Sequence, residues 1–262
     1  MDWLGIDWRA LDRLRDGFLA GKPAQGPYWQ SQSDLASYDF TYGERIGWKW
    51  DQVLRELRLR SWRPSARDVV DWGCGSGIAG RRMIEFFGPQ NFSSLTVWDH
   101  SPAACAFAAD AAGRTFPELT VSAATPGFVT SSEPIGLLVI SHVLNELSAA
   151  ELASLRAMIL RAAEVVWVEP GTHAVSRSLS ALRNEFLATF HIVAPCTHQG
   201  QCPALSAGNE RDWCHFFAPP PGEIFADSNW VNFSQRAGID LRSLPYCFVA
   251  MEKCPPDGAR SI

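Results

Sequence analysis

The chain has 262 residues, of which 47% are hydrophobic and 19% are charged, and its formal net charge is -5. This composition is typical of a folded globular protein and excludes a mainly disordered chain. No apolar run approaches the roughly 20 residues that span a bilayer, and the N-terminus mixes acids with arginines instead of carrying an apolar signal core. We therefore predict a cytoplasmic protein with neither a membrane nor a DNA partner.

Residues 1–67 are predicted to form a helical N-terminal segment. Two helices are indicated by apolar side chains at helical spacing, which are Leu4, Trp8, Leu11 and Leu14 in the first and Ile46, Trp50, Val53, Leu54 and Leu57 in the second. The segment ends in a group of arginines, which are Arg55, Arg58, Arg60, Arg63 and Arg67. This group is equally consistent with a local RNA-binding patch and with a solvated helix face.

From residue 68 to residue 262 the pattern changes to short apolar strands that alternate with capped helices, which is typical of a parallel sheet covered on both faces. The predicted strands are 69–71, 95–99, 135–140, 165–168, 213–217 and 246–251. The predicted helices are 76–87, 102–113, one that starts at a Ser148/Glu151 capping box, one that carries Val175, Leu179, Leu182 and Phe186, and 228–237. The alternation is interrupted at about 191–217 by a stretch rich in Cys, His, Gly and Pro, which we interpret as an insertion.

A glycine-rich loop follows the first predicted strand, with Asp71, Gly73 and Gly75 at its start. Glycines at 75, 77 and 80 also have the spacing of a dinucleotide fingerprint, so an NAD-binding oxidoreductase is an alternative. An acid beside the loop disfavours a pyrophosphate but suits S-adenosylmethionine, which carries positive charge. Asp99, at the end of the second strand, is placed to accept hydrogen bonds from ribose hydroxyls. Cys74, His100 and Ser141 complete the predicted cofactor-binding set.

The catalytic residues are less sharply indicated. The third predicted strand leads into Ser141, His142 and Glu146, and either His142 or Glu146 could act as a base. The Asn-Pro-Pro-aromatic loop of many amino-methylating enzymes is absent from this position. Both side chains are therefore equally well interpreted as polar groups that line the cofactor without taking part in chemistry.

Three cysteines, Cys196, Cys202 and Cys214, lie close together in the sequence, with His198 and His215 between and beside them. Three thiolates on one loop repel one another unless a cation holds them, so this pattern predicts a metal site in preference to buried free cysteines. A fourth ligand could be Cys254, Cys247 or His198. The spacing does not identify the metal.

The order of several motifs resembles the ribosomal small-subunit methyltransferase-like family, whose members include bacterial proteins and mitochondrial small-subunit assembly factors. The motifs are VVDWGCGSG, SHVLNEL, VEPGT, APCTHQGQCP and WCHF, and the resemblance covers roughly residues 34–253. It implies a class I methyltransferase fold of the Rossmann-like type, an S-adenosylmethionine site, association with small-subunit rRNA and a four-iron four-sulfur (4Fe-4S) cluster. By position, Cys196, Cys202 and Cys214 match the cluster ligands, and Cys254 resembles a shortened form of the fourth. This departure leaves open Cys247 as the ligand, an exchangeable site, or zinc.

Two functions follow as expectations. The first is an S-adenosylmethionine-dependent methyltransferase that acts on small-subunit rRNA or a pre-ribosomal particle and carries an iron-sulfur cluster. The second is a non-catalytic small-subunit assembly factor that uses the same fold to bind rRNA.

Overall fold

The computed structural model describes residues 2–20, 28–125 and 127–254. In this part of the chain a central sheet has eight strands, seven of which follow the order β3-β2-β1-β4-β5-β8-β6, while β7 pairs with β8. The strands are β1 Asp68–Trp72, β2 Ser94–Trp98, β3 Thr120–Ala123, β4 Ile135–Ser141, β5 Ala162–Pro170, β6 Phe190–Ala194, β7 Phe216–Ala218 and β8 Leu244–Lys253.

Helices cover both faces of this sheet. They are α1 Trp8–Leu19, α2 Gln32–Tyr38, α3 Glu44–Leu59, α4 Ile78–Phe87, α5 Pro102–Thr115, α6 Ala149–Arg161, α7 His173–Glu185 and α8 Ser228–Ala237. Apolar residues of α3, α4, α5 and α8 form the core on one face, and those of α6 and α7 form the core on the other. Among the described residues, no helix is both long and apolar enough to cross a membrane.

The strand directions identify the fold. Strands β1 to β5 pair in parallel, whereas β8 runs antiparallel to both β5 and β6, between which it lies. A parallel sheet whose order reverses at β1 and β4, with one antiparallel strand next to the last parallel one, is the class I methyltransferase form of the Rossmann-like fold. The predicted fold class is thereby confirmed for the α/β architecture.

Local sequence signals account for several element boundaries. The Ser101 hydroxyl accepts a hydrogen bond from the Ala104 N–H, with Pro102 at the first helical position of α5. Ser148 and Glu151 form the predicted capping box of α6. Helix α8 ends at Gly238, which has a left-handed backbone with φ of 62°.

The structure differs from the predicted elements at four places. The predicted strand 213–217 is shorter and lies further along the chain, because only Phe216–Ala218 pair with β8. Leu4 is 96% exposed and precedes α1, so it belongs to no apolar helix face. Strand β3 was not predicted, because its residues are mostly exposed at the sheet edge and lack an apolar run. The predicted insertion overlaps strand β6, and only the stretch between β6 and β7, residues 195–215, is irregular apart from one short 3-10 turn.

Candidate functional site

Three loops meet at one edge of the sheet. The last residue of β1, Trp72, is in register with Trp98 of β2 and Ile140 of β4. Because these strands are parallel, the segments that follow them emerge side by side at the carboxyl edge, where open α/β sheets bind their ligands. Strands β1 and β4 are also the neighbours at which the strand order reverses.

A cavity of about 740 Å³ opens at this edge. Eight of the predicted site residues line it, namely Gly73, Cys74, Gly75, Asp99, His100, Ser141, His142 and Glu146. Glu151 adds a third acidic residue to Asp99 and Glu146, whereas no lysine or arginine lines the cavity among the residues that the structure describes. Acidic walls without a basic side chain favour a cationic ligand over a pyrophosphate.

Asp99 is fixed by backbone donors from both sides. The Gly75 N–H donates to its Oδ2 at 3.0 Å, and the Ser101 N–H donates to its Oδ1 at 2.8 Å. Burial raises the pKa of this carboxyl, while the two N–H groups oppose the shift. Each carboxylate oxygen keeps a further lone pair, so Asp99 can still accept hydrogen bonds from a ligand hydroxyl.

Asp71 is the predicted cofactor residue that the structure places elsewhere. Its side chain is fully buried, it does not line the cavity, and its Oδ2 accepts a hydrogen bond from the Gly80 N–H at 3.0 Å. Successive side chains of a strand point to opposite faces, so Trp72 faces the cavity while Asp71 points beneath the loop toward α4. Burial raises its pKa to about 7. Asp71 therefore supports the loop from behind.

Two of the glycines with dinucleotide spacing serve packing. A Cβ on Gly77 would lie 2.8 Å from the Ala108 Cβ, and a Cβ on Gly80 would lie 2.8 Å from Asp71 Oδ2. Of the three, Gly75 alone lines the cavity. Close contact of the loop with α5 and with Asp71 thus accounts for this spacing without a pyrophosphate.

Glu146 lies in the cavity wall as an uncommonly weak acid. Burial raises its pKa to about 8, and the charges of Asp99 and Glu169 add to the shift. Its Oε2 is 3.5 Å from the Tyr28 hydroxyl. At neutral pH the carboxyl is therefore largely protonated, and it can donate a proton or a hydrogen bond to a bound ligand.

His142 is held by a chain of polar contacts that begins on α3. The Trp50 indole donates to Ser141 Oγ at 2.9 Å, this hydroxyl is 3.1 Å from His142 Nδ1, and His142 Nε2 is 3.1 Å from Lys49 Nζ. Burial, followed by the charge of Lys49, lowers the pKa of His142 well below its usual range, so the imidazole is neutral. Its φ of 56° is one of two positive values among the described non-glycine residues, a strained backbone of the kind found at functional sites.

Glu169 fixes the turn that carries these side chains. Its Oε1 accepts hydrogen bonds from the N–H groups of Val143 and Leu144 and from the Trp167 indole. Burial raises its pKa to about 7. The Glu in the VEPGT motif thus positions the loop after β4 and does not line the cavity.

One wall of the cavity consists of aromatic side chains that were not predicted as site residues from the sequence. Tyr28, Trp29 and Tyr38 from the N-terminal segment line it together with Trp72 and Trp98, whose rings stack with centroids 4.9 Å apart. The aromatic residues are visible in the sequence, but only the path of the segment across the carboxyl edge brings them to the site.

A second cavity, of about 340 Å³, lies beside α7 and the strand β8. Four cysteines line it, which are Cys196, Cys202, Cys214 and Cys247. Burial, followed by the charges of Cys196 and Cys202, raises the pKa of Cys214 to about 11. Four thiols converge here without a disulfide, and their ionisation needs a cation to offset it. No three His, Cys, Asp or Glu side chains in the described ranges are arranged to hold a metal ion.

Cys254, the predicted fourth ligand, is not brought to this cavity. It follows the far end of β8, where its N–H donates to the Thr189 carbonyl that precedes β6. Cys247 lies near the start of β8, opposite Glu169 of β5. Because β8 is antiparallel to β5, its first half and not its end lies beside the cysteine loop. Cys247, one of the alternatives, lines the cavity with the other three cysteines.

The predicted basic group is divided in the structure. The side chains of Arg55, Arg58, Arg63 and Arg67 belong to exposed residues. Arg60, by contrast, pairs with Glu56 and donates to the carbonyls of Val193 and Pro195. It anchors the loop that carries the first cysteine, so it is removed from the candidate RNA-binding patch.

The sequence model of one family, described as "Mitochondrial small ribosomal subunit Rsm22", matches residues 51–220. No curated protein sequence matches the chain.

Solved structures with a similar fold include three methyltransferases. Magnesium protoporphyrin IX methyltransferase from Synechocystis PCC 6803 with bound SAH is 12% identical and has a TM-score of 0.48, over 92% of this chain and 98% of that one. The N-methyltransferase NodS from Bradyrhizobium japonicum WM9 with SAH is 15% identical and has a TM-score of 0.45, over 79% and 86%. The 16S rRNA methylase RmtB is 12% identical and has a TM-score of 0.46, over 95% and 76%. At these identities and TM-scores, the likenesses carry no inference about the activity of this chain.

Proposed function

Because this chain belongs to the family described as mitochondrial small ribosomal subunit Rsm22, we propose that it acts on the small ribosomal subunit as an S-adenosylmethionine-dependent methyltransferase. The substrate in this proposal is small-subunit rRNA, alone or within a pre-ribosomal particle. The observation that carries it is the cavity at the carboxyl edge, which combines a glycine loop, the carboxylate of Asp99 and aromatic walls.

The cavity fits the proposed cofactor in charge and in shape. S-adenosylmethionine carries a sulfonium and an amino group, and both suit walls that hold carboxylates and no lysine or arginine. Gly73 and Gly75 have φ of 68° and 51° and no side chain, so their backbone can approach the ligand closely. Asp99 is placed to receive ribose hydroxyls. When bound, the cofactor supplies the methyl group.

His142 and Glu146 are the residues that we propose for proton handling. Both line the cofactor cavity. A neutral His142 can accept a proton from a nucleophile that gains a methyl group. Glu146, largely protonated at neutral pH, can donate a hydrogen bond that orients the target base.

Transfer of labelled methyl groups to immature small subunits tests the proposal. We expect incorporation into rRNA with the wild-type protein and a loss of about tenfold or more in the His142→Ala variant. The Glu118→Gln variant, an exposed site after α5, is the control and should retain full activity. Cofactor binding without any incorporation into free rRNA or particles would contradict the enzymatic proposal.

A second candidate function is that of a non-catalytic assembly factor. One observation favours it, since the description of the matched family names a ribosomal subunit and not an enzyme. The same fold and its exposed arginines would then bind rRNA without methyl transfer. The labelling experiment separates the two functions, because this candidate predicts binding to the particle and no incorporation.

We also propose that the cysteine cavity holds a 4Fe-4S cluster, bound by Cys196, Cys202, Cys214 and Cys247. Four cysteines around one cavity match the donor set of such a cluster. A single zinc ion bound by the same four cysteines is the alternative.

Anaerobic purification tests this site. We expect a brown protein that contains iron and acid-labile sulfide, and we expect Cys247→Ser to lose both. Cys254→Ser is the matched control, because Cys254 lies at the other end of β8. Loss of iron in Cys254→Ser with retention in Cys247→Ser would contradict the ligand set, and a colourless protein with one zinc would contradict the cluster.

The cytoplasmic location stays a prediction, because the description of the family names the mitochondrial ribosome.

A further inference from the structure

One face of α7 covers the cysteine cavity with hydrogen-bond donors. Ser176, Ser180 and Arg183 recur at intervals of four and three residues, so they lie on the same side of the helix. All three line the cavity opposite the cysteines, and all three are buried. The Ser176 hydroxyl already donates to the Cys214 carbonyl, so the donor on this face that best suits an anionic occupant is the guanidinium of Arg183.

Arg183 is the most informative of these residues. It is 3% exposed, and its terminal nitrogens donate to the carbonyls of His198 and Gly200 in the cysteine loop. Its Nε–H, by contrast, is buried and has no hydrogen-bond partner in the described part of the chain. A buried charged donor without a partner is unfavourable, because it has lost its hydrogen bonds to water. Such a group indicates a missing acceptor.

A positive charge at this position also offsets the charge of the proposed occupant. Within the ranges that the structure describes, no acidic side chain lines the cavity. A cluster bound by four thiolates is anionic in its usual oxidation states. The guanidinium is thus the one formal positive charge in a wall that otherwise consists of thiols, hydroxyls and apolar groups.

We propose that Arg183 is a positioning residue for the cluster, with its Nε–H donating to a cluster or cysteine sulfur while its terminal nitrogens hold the loop that carries Cys196 and Cys202. This inference rests on the proposed iron-sulfur site. Hydrogen bonds to sulfur and a nearby positive charge stabilise the reduced, more negative state of a cluster. Arg183 therefore raises the reduction potential and slows the loss of iron.

The helix offers a matched control for the structural part of this role. Arg177, two turns earlier on α7, donates to the carbonyls of Ala204, Asn209 and Asp212 in the same loop. It does not line the cavity. Arg177→Gln therefore weakens the hold on the loop without changing the charge beside the cluster, whereas Arg183→Gln changes both. Arg183→Lys keeps the positive charge but loses the paired hydrogen bonds to the carbonyls of His198 and Gly200 and the Nε–H donor.

The experiment is a reductive titration of the anaerobically purified full chain, followed by electron paramagnetic resonance, with iron retention against a chelator as a second readout. We expect Arg183→Gln to have a more negative potential and faster iron loss than wild type. Arg177→Gln should stay close to wild type in potential, whereas Arg183→Lys, which keeps the charge but loses the Nε–H donor, should lie between wild type and Arg183→Gln. If Arg183→Gln alone loads no iron, the result also supports the proposal, because it differs from Arg183→Lys in charge.

Two outcomes would overturn the inference. Equal potentials in wild type and Arg183→Gln would show that the guanidinium does not act on the cluster. Equal shifts in Arg177→Gln and Arg183→Gln would assign Arg183 to loop structure alone. Wild-type protein without iron and sulfide would instead refute the proposed cluster itself, so failure of the two proposals can be distinguished.

Discussion

At the scale of single residues, the cavity at the carboxyl edge is surrounded by carboxyls that are held away from water. Burial raises the pKa of Glu146 to about 8 and the pKa values of Asp71 and Glu169 to about 7. Buried carboxyls with raised pKa values are typical of ligand sites, because burying an ionisable group is unfavourable where it has no function. They make the unbound site a source of instability near neutral pH.

Glu146 gives a prediction with a defined sign. Its carboxyl has a higher pKa in the folded than in the unfolded chain, so the stability that it contributes is present below about pH 4.5 and is lost as the pH rises toward 8. Glu146→Gln cannot ionise. The free energy of unfolding of the Glu146→Gln variant should therefore increase relative to that of wild type by up to about 1.4 kcal/mol for each pH unit in this window. Urea denaturation at pH 5, 6.5 and 8 measures the difference, and a difference independent of pH would contradict the raised pKa.

Some residues of the site could be placed from the sequence, whereas the direction and the contacts of others could not. The glycine loop and Asp99 could be placed from their positions after strands, because parallel strands share one carboxyl edge. The direction of the Asp71 side chain could not, since it depends on which face of the sheet α4 covers. The contact between Lys49 and His142 joins residues 93 positions apart, and no local pattern predicts it.

At the scale of elements, the turn between β1 and α4 depends on glycine. Gly77 has φ of 78° and meets the Ala108 Cβ at 2.8 Å when a Cβ is added, so α5 packs directly on the loop. Gly113 lies inside α5, and a Cβ there would meet no atom within 4 Å. These two glycines thus have opposite consequences for the same substitution.

Alanine at these two positions tests the packing of α5 on the loop. Gly77→Ala should lower the free energy of unfolding by about 1–2 kcal/mol from backbone strain, with more from the clash, and should weaken cofactor binding. Gly113→Ala should raise it by roughly 0.5–1 kcal/mol, because alanine favours the helix. Both are measured by chemical denaturation. Equal effects of the two substitutions would show that α5 does not constrain the loop.

Element order explains why Cys247, and not Cys254, lines the cavity with the loop cysteines. The loop cysteines follow β6, and their nearness to one another is visible in the sequence. Cys247 joins them because β8 inserts antiparallel between β5 and β6. Sequence alternation predicts that a last strand exists but not its place or direction in the sheet, so it could not separate Cys247 from Cys254.

At the scale of the whole molecule, the proposed activities occupy different regions. The cofactor cavity lies at the carboxyl edge, whereas Arg67 immediately precedes β1 at the opposite edge, roughly 15 Å away along a strand of five residues. An RNA that contacts both regions must therefore extend across one face of the protein.

Charge reversal tests whether the exposed arginines bind RNA. Changing Arg55, Arg58 and Arg63 to Glu should weaken rRNA binding and reduce the slope of log affinity against log salt by roughly 2. Reversal of Arg114, Arg156 and Arg242, which pair with acids elsewhere on the surface, gives the same change in net charge and is the control. Equal effects of the two triple variants would mean that only net charge matters and that the group is a solvated surface.

We propose that the cavity at the carboxyl edge binds S-adenosylmethionine through the glycine loop and Asp99. Calorimetric titration of the purified chain with S-adenosylmethionine, and separately with NADH, tests it most directly. We predict binding of S-adenosylmethionine, a loss of about tenfold or more in Asp99→Ala from one charged hydrogen bond, and no binding of NADH. If the chain binds NADH but not S-adenosylmethionine, or if Asp99→Ala binds S-adenosylmethionine as tightly as wild type, the cavity is not the proposed cofactor site.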